Sequence, residues 1–271
     1  MTTKIDCRIL TINVLIGGSI VKTVPHLKLS DDISISYAIL PGDPARVERV
    51  AKHMQQVEEL SCNREFKSIK GIYKGLPILV TSTGIGGPSM AIAVEELSQI
   101  GVKNAIRIGS CGALQSTMHL GDLVLVQGAI RDEGTTKAYI DLSYPAIPDY
   151  DFLKACEYAS NQYLYPVHIG MIRSHDSLYA EQKKKADDYY SQKNVLASDM
   201  ETAALFVVGG LRGIYTASIL NCVVTYKDDL ETNINKYADG EQLSMDGEER
   251  EIITALEACL QMEKLKKRYE R

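Results

Sequence analysis

Residues 105–113 read AIRIGSCGA, an apolar run broken by one arginine, Arg107, and closed by Gly109, Ser110, Cys111 and Gly112. Val102, Ala105, Ile106 and Ile108 are what a buried strand needs, and the small residues after them let the backbone turn sharply and approach a ligand. An arginine inside such a strand needs an anion, because a buried charge persists only when partnered. That anion is either one of the chain's own carboxylates or something bound from outside, and this stretch alone leaves both open.

Two further stretches add arginines in similar settings. GDPAR, at 42–46, follows a short apolar strand over 37–40. Pro44 opens a helix with the stripe Val47, Val50, Ala51 and Met54, and Asp43 is placed to cap it. A strand, a glycine turn and a capped helix start form an anion site, since free backbone N–H groups and the positive helix end face the ligand. Arg46 lies in the first turn of that helix; its alternative is a solvated surface role. NREF, at 63–66, places Arg64 ahead of two strands, 65–73 and 77–83, paired around Lys74-Gly75. TGIGGPS, at 83–89, precedes a helix over 90–100; its GxGG is not the GxGxxG of a dinucleotide loop and fits a close backbone approach at the mouth of a sheet.

Strands are expected over 103–109, 120–129, 167–173, 195–197 and 216–224, with helices over 152–162, 198–211 and 248–270, the last with Ile252, Leu256, Cys259 and Leu260 inward. Lys183, Lys184 and Lys185 with Asp187 and Asp188 read as a solvated helix face. Asp199 and Glu201 flank a helix start, where capping is one role; Glu201 also stands where a buried strand hands over to an apolar helix. The alternation of strands and helices predicts an α/β fold of three layers, α/β/α, around a mixed central sheet. The marked residues follow strand ends, where open sheets bind ligands.

With 271 residues, 45% of them apolar, the chain is long enough for one large domain, taken as 25–271 behind an N-terminal extension over 1–24. A formal net charge of -5 disfavours a nucleic-acid surface, so an anion site has to be a local basic cluster. The six cysteines are scattered with no CxxC pair, and no histidine cluster has metal spacing, as in a reduced, cytoplasmic protein. The apolar run 9–21, behind Lys4 and Arg8, faintly resembles a signal peptide; it lacks a convincing cleavage site and is too short to span a bilayer, so no membrane partner is expected.

Taken in order, GDPAR, NREF, STGIGGPS, RIGSCGA and DMETAA resemble the nucleoside phosphorylase family that includes hexameric uridine phosphorylases and bacterial-type purine nucleoside phosphorylases, from about His26 to the C-terminus. The resemblance implies a phosphate site from Gly42, Arg46, Arg107 and Ser110, completed by Arg64 reaching in from a neighbouring subunit. It implies ribose contacts from Met200 and Glu201, with His26 of the adjacent subunit near the 5′ hydroxyl. At the base, Gln182 matches the glutamine with which uridine phosphorylases read uracil, but Lys184 replaces their neighbouring arginine and Leu178 their aromatic residue. Purine enzymes carry an aspartate after the last core strand; here that position falls in Cys222 to Tyr226, with Asp228 and Asp229 slightly further on.

The resemblance therefore implies a pentosyltransferase, reversibly converting a nucleoside and inorganic phosphate to free base and ribose 1-phosphate, with uridine preferred and a purine nucleoside as the alternative. Phosphate is a co-substrate, and no organic cofactor is expected. Glu65, Ile85 and Ser89 match positions that hold potassium in some relatives. The expected assembly is a homo-oligomer built from dimers, a hexamer as in the family, working in pyrimidine salvage in the cytoplasm. Two other readings stand beside it: a nucleosidase using water, for which three arginines have no purpose, and a catalytically silent nucleoside-binding protein.

Overall fold

A computed structural model describes residues 14–16, 19–226, 228, 230–238 and 240–269. Its strands are β1 (Val14–Ile16), β2 (Ser19–Val21), β3 (Tyr37–Pro41), β4 (Gln55–Asn63), β5 (Phe66–Tyr73), β6 (Leu76–Thr81), β7 (Asn104–Ala113), β8 (Leu123–Asp132), β9 (Val167–His175), β10 (Ala197–Asp199) and β11 (Tyr215–Val224). Its helices are α1 (Pro44–Ala51), α2 (Gly87–Gln99), α3 (Tyr150–Gln162), α4 (Lys183–Ser191), α5 (Thr202–Leu211), α6 (Leu230–Ala238) and α7 (Gln242–Tyr269).

The strand read first, β7, lies inside a nine-stranded mixed sheet of order β10-β9-β8-β11-β7-β3-β6-β5-β4. It pairs in parallel with β3 and β11, so its backbone is satisfied on both edges. Its side chains alternate between two cores. Ala105, Cys111 and Ala113 face the layer holding α2 and α5, whereas Ile106 and Ile108 face α1, α3 and α7. This is the three-layer α/β/α arrangement expected from the alternation of elements. Helix α5 is buried on nearly every side, which is why its sequence is apolar all round.

The sheet curls until β10, already parallel to β9, also pairs antiparallel with the end of β7 through Ala197–Ala113 and Ser198–Gly112. That closure carries residues 199–201 to the C-terminal end of β7. Asp43 caps α1 as its position implied, accepting the Ala45 N–H at 2.8 Å.

Several elements differ from the sequence reading. β4 was not anticipated: its side chains are mostly exposed and it pairs only with β5, so it has no apolar face to announce it. α6 was also missed, and α7 starts at Gln242 rather than 248. β8 runs three residues past Ala129, because the arginine and aspartate that end it are held by partners rather than by apolar burial. Of the apolar run 9–21, residues 14–16 and 19–21 form the antiparallel pair β1–β2; the rest lies outside the described residues. No helix among the described residues is long and apolar enough to cross a membrane.

Candidate active site

The C-terminal ends of β3, β7, β9, β10 and β11 converge on one cleft of about 1030 Å³. Arg107 and Arg46 reach its floor from opposite faces of the sheet. Arg107 shares the face of Ala105 and folds back over its own strand; a Cβ at residue 109 would stand 2.5 Å from Arg107 Nη2, so a side chain there would push the guanidinium from this position. Arg46 comes from α1 on the other face, with Nη2 3.4 Å from the Ser110 hydroxyl and Nη1 donating to the Ile108 carbonyl at 3.3 Å. Both arginines are 3% exposed.

The question raised by Arg107 has an answer within the chain. Its Nε donates to Asp199 Oδ2 at 3.1 Å and its Nη2 to Glu201 Oε2 at 2.5 Å, leaving Nη1 without a bond to any described residue. Glu201 also accepts the Gly86 N–H at 2.6 Å, which ties the GIGG loop to the start of α5. Asp199 is held in turn by the Ser174 hydroxyl at 2.6 Å and by the backbone N–H and hydroxyl of Thr202. Burial pushes the Glu201 carboxyl up, against the pull of Arg107.

Arg46 has its own carboxylates. Nε donates to Glu248 Oε2 at 2.9 Å, and Nη1 lies 3.1 Å from Glu251 Oε1; Arg46 and Glu248 also bond the Tyr237 hydroxyl. Arg49 pairs with Glu248 and Asp43. Glu248 is held below the ordinary carboxylate range: burial raises it, but Arg46, the Tyr237 hydroxyl and Arg49 outweigh that. Glu251 behaves oppositely. Burial pushes its carboxyl up to about 8 in spite of Arg46, so it is largely protonated at neutral pH. Arg46 thus shares its ionised partner Glu248 with Arg49, whereas Arg107 faces two carboxylates and keeps Nη1 as its unbonded donor.

Of the residues singled out from sequence, Gly42, Arg46, Arg107, Ser110, Met200, Glu201 and Leu178 all line this cleft. Arg64 and His26 do not. Arg64 is exposed in the turn between β4 and β5, with φ +56°. His26 contacts that hairpin: its carbonyl accepts Asn63 Nδ2 at 2.7 Å, and its Nδ1 lies 2.6 Å from Glu96 Oε1. The two residues assigned by resemblance to a neighbouring subunit therefore lie at the same margin of this one. Gln182 and Lys184 are exposed outside the cleft, and Lys183, between them, lines it. Asp228 is exposed and bonded to Thr225, and does not line the cleft; Asp229 lies outside the described residues.

Glu65 and Ile85 line the cleft, and Ser89 donates to Glu65 Oε1 at 2.8 Å. Backbone and Ser89 hydrogen bonds hold the Glu65 carboxyl below its usual value. Sequence reasoning did not find Glu248, Glu251, Tyr237, His175 or Lys183. A signal existed for the first of these, because Glu248 stands one helical turn before the inward Ile252.

Fold and cleft together give an α/β protein with a buried arginine pair at the strand ends. The chain belongs to the phosphorylase superfamily, whose profile matches residues 36–255. It is 39% identical over 238 residues to the guanosine phosphorylase of Halorubrum lacusprofundi, covering 86% of this chain and 97% of that protein. It is 37% identical over 205 residues to the uridine phosphorylase of Treponema pallidum, covering 72% and 80% respectively. The solved uridine phosphorylase of Vibrio fischeri ES114, complexed with 6-hydroxy-1-naphthoic acid, superposes with a TM-score of 0.83 at 42% identity, covering 88% of this chain and 96% of that one.

Proposed function

We propose that this chain is a nucleoside phosphorylase that reversibly converts uridine and inorganic phosphate to uracil and ribose 1-phosphate. The observation that carries this reading is the pair Arg46 and Arg107, buried at the floor of a cleft whose next wall is Met200 and Glu201. Phosphate would sit on the guanidinium ends and the Ser110 hydroxyl, beside the backbone of Gly42. The Glu201 carboxylate accepts hydrogen bonds from the ribose hydroxyls, and Met200 packs on the sugar. Holding the nucleophile beneath C1′ replaces a bimolecular encounter with a positioned attack, and the arginines stabilise charge where an oxocarbenium-like transition state needs it. No covalent intermediate on the enzyme is required; burial keeps the Cys111 thiol protonated.

Guanosine is the second reading, favoured by the likeness to a guanosine phosphorylase along 97% of that protein. Arg64 and His26 would act in a neighbouring copy, which makes a dimer the smallest competent unit and a hexamer the expected assembly; we place the enzyme in the cytoplasm and in pyrimidine salvage. A carboxylate, a hydroxyl and a backbone carbonyl at Glu65, Ser89 and Ile85 suit a hard cation in kind. One copy offers fewer than the roughly six to eight oxygens that a hard cation such as calcium takes, so a potassium ion there would be shared between two copies. The test is to follow loss of uridine and of guanosine with and without inorganic phosphate, assaying ribose 1-phosphate. Phosphate-dependent cleavage supports the reading. Cleavage without phosphate would make the protein a nucleosidase, and no cleavage a binding protein.

A further inference from the structure

The base end of the cleft is left without a reader by the residues carried over from the resemblance, because Gln182 and Lys184 lie outside it. The cleft is lined by Leu178, Val223 and Val224, apolar walls suited to a flat ring, and also by Lys183 and His175, the latter three positions before Leu178. Lys183 is engaged in an ion pair with Asp187 at 2.5 Å. His175 has no such partner. It is 3% exposed, its Nδ1 is buried with no hydrogen bond, and its ring bonds to no described residue. Buried polar atoms are nearly always paired, so an orphan on a ligand cleft calls for a partner from outside the chain.

Resting on the phosphorylase reading above, we propose that His175 reads the base: with the ring turned about its Cβ–Cγ bond so that the buried Nδ1 reaches the cleft, Nδ1–H donates to the ring carbonyl that uracil and guanine both carry beside a ring N–H. The residue is well placed for this. It ends β9 directly after Ser174, whose hydroxyl holds Asp199, and Asp199 takes Arg107 Nε. One chain of hydrogen bonds thereby fixes the imidazole's backbone relative to the anion site. Burial, with Arg173 of β9 and Lys183 of α4, lowers the affinity of the ring for a second proton, against Asp187 of α4 and Asp199 of β10. A neutral imidazole carries one donor and one acceptor, and the tautomer with the proton on Nδ1 presents the donor that a carbonyl requires.

The test compares His175→Leu, which keeps bulk without polarity, with His175→Asn, whose amide nitrogen reaches the position of Nδ1. For each variant, kcat/KM for uridine and guanosine and KM for phosphate are measured. Binding of free uracil and guanine to phosphate-saturated protein is measured by calorimetry. The leucine variant is expected to lose about 10- to 100-fold in nucleoside kcat/KM and in affinity for the preferred base, with the phosphate KM unchanged, as when one matched polar partner of a substrate is removed. The asparagine variant is expected to recover most of that loss. If the leucine chain does not fold, His175→Phe carries the same expectation. Leucine-variant kinetics equal to wild type, a parallel rise in phosphate KM, or an asparagine variant no better than leucine would each overturn the proposal. The calorimetry separates the two readings. Base binding that depends on His175 without any phosphorolysis would leave this inference standing and remove the proposed function, whereas failure of the wild-type protein to bind either base would overturn it.

Discussion

Replacing Glu251 with glutamine should remove a fall in stability that the wild-type protein shows as pH rises through neutrality. Glu251 is 0% exposed; its Oε2 accepts the Gly109 N–H at 3.1 Å, and its Oε1, 3.1 Å from Arg46 Nη1, has no aligned hydrogen bond. Burial pushes its carboxyl up to about 8, opposed by Arg46 and Arg107 and assisted by Glu248. In the unfolded chain the same group titrates near its ordinary value of about 4.3. Between those two values the folded state binds a proton that the unfolded state does not, so unfolding free energy declines with rising pH. The stabilisation is complete below the unfolded value and is lost as pH climbs through 8. The slope for one group is about 1.4 kcal/mol per pH unit, hence roughly 2–3 kcal/mol between about pH 6 and pH 8. Glutamine imitates the protonated acid and cannot titrate, so Glu251→Gln should lie within about 1 kcal/mol of wild type at neutral pH and gain on it up to a little above pH 8, where the difference levels off. Urea unfolding of both proteins at one fixed concentration gives the difference curve, in which the contributions of all other groups cancel. A flat difference curve would refute the assignment of a protonated Glu251.

Arg107→Ala strands the buried Asp199 and Glu201, and should cost about 3–5 kcal/mol in urea unfolding together with at least about 100-fold in phosphorolysis; full activity in a folded variant would refute the anion-site assignment. Arg64→Ala, at an exposed turn, should change stability by no more than about 0.5 kcal/mol yet abolish activity. Mixing its subunits with those of Arg46→Ala should restore activity, because some cleft then receives both arginines; no recovery would place Arg64 outside the site. Arg131 donates to Thr136 Oγ1 and to the carbonyls of Thr136, Ile140, Asp141 and Tyr144. Arg131→Met should therefore lower stability by about 2–4 kcal/mol and accelerate hydrogen exchange in residues 136–144, and unaltered exchange would contradict its role as the anchor of that loop.

Local chemistry was legible in the sequence wherever one short stretch determined it. The apolar run around Arg107 specified a buried strand, Asp43-Pro44 specified the start of α1, and the handover from strand to apolar helix placed Glu201 in the cleft. Partners far apart in sequence were not legible. Glu248 meets Arg46 across 202 positions, and no local pattern announces a pairing set by how α7 packs on the sheet. Rotation about a helix was equally hidden: successive residues point about 100° apart, so once α4 begins at Lys183 it is Lys183 rather than Lys184 that enters the cleft. His175 gave no sign because a histidine at a strand end has many structural uses, and only its burial without a partner sets it apart.

The most direct measurement on the nucleophile is to cleave uridine in heavy-oxygen water with unlabelled inorganic phosphate and to analyse the sugar product by mass spectrometry. If phosphate held by Arg46 and Arg107 attacks C1′, ribose 1-phosphate forms without solvent oxygen. Free ribose formed in place of ribose 1-phosphate would show that water is the nucleophile, and would contradict phosphorolysis at this arginine pair.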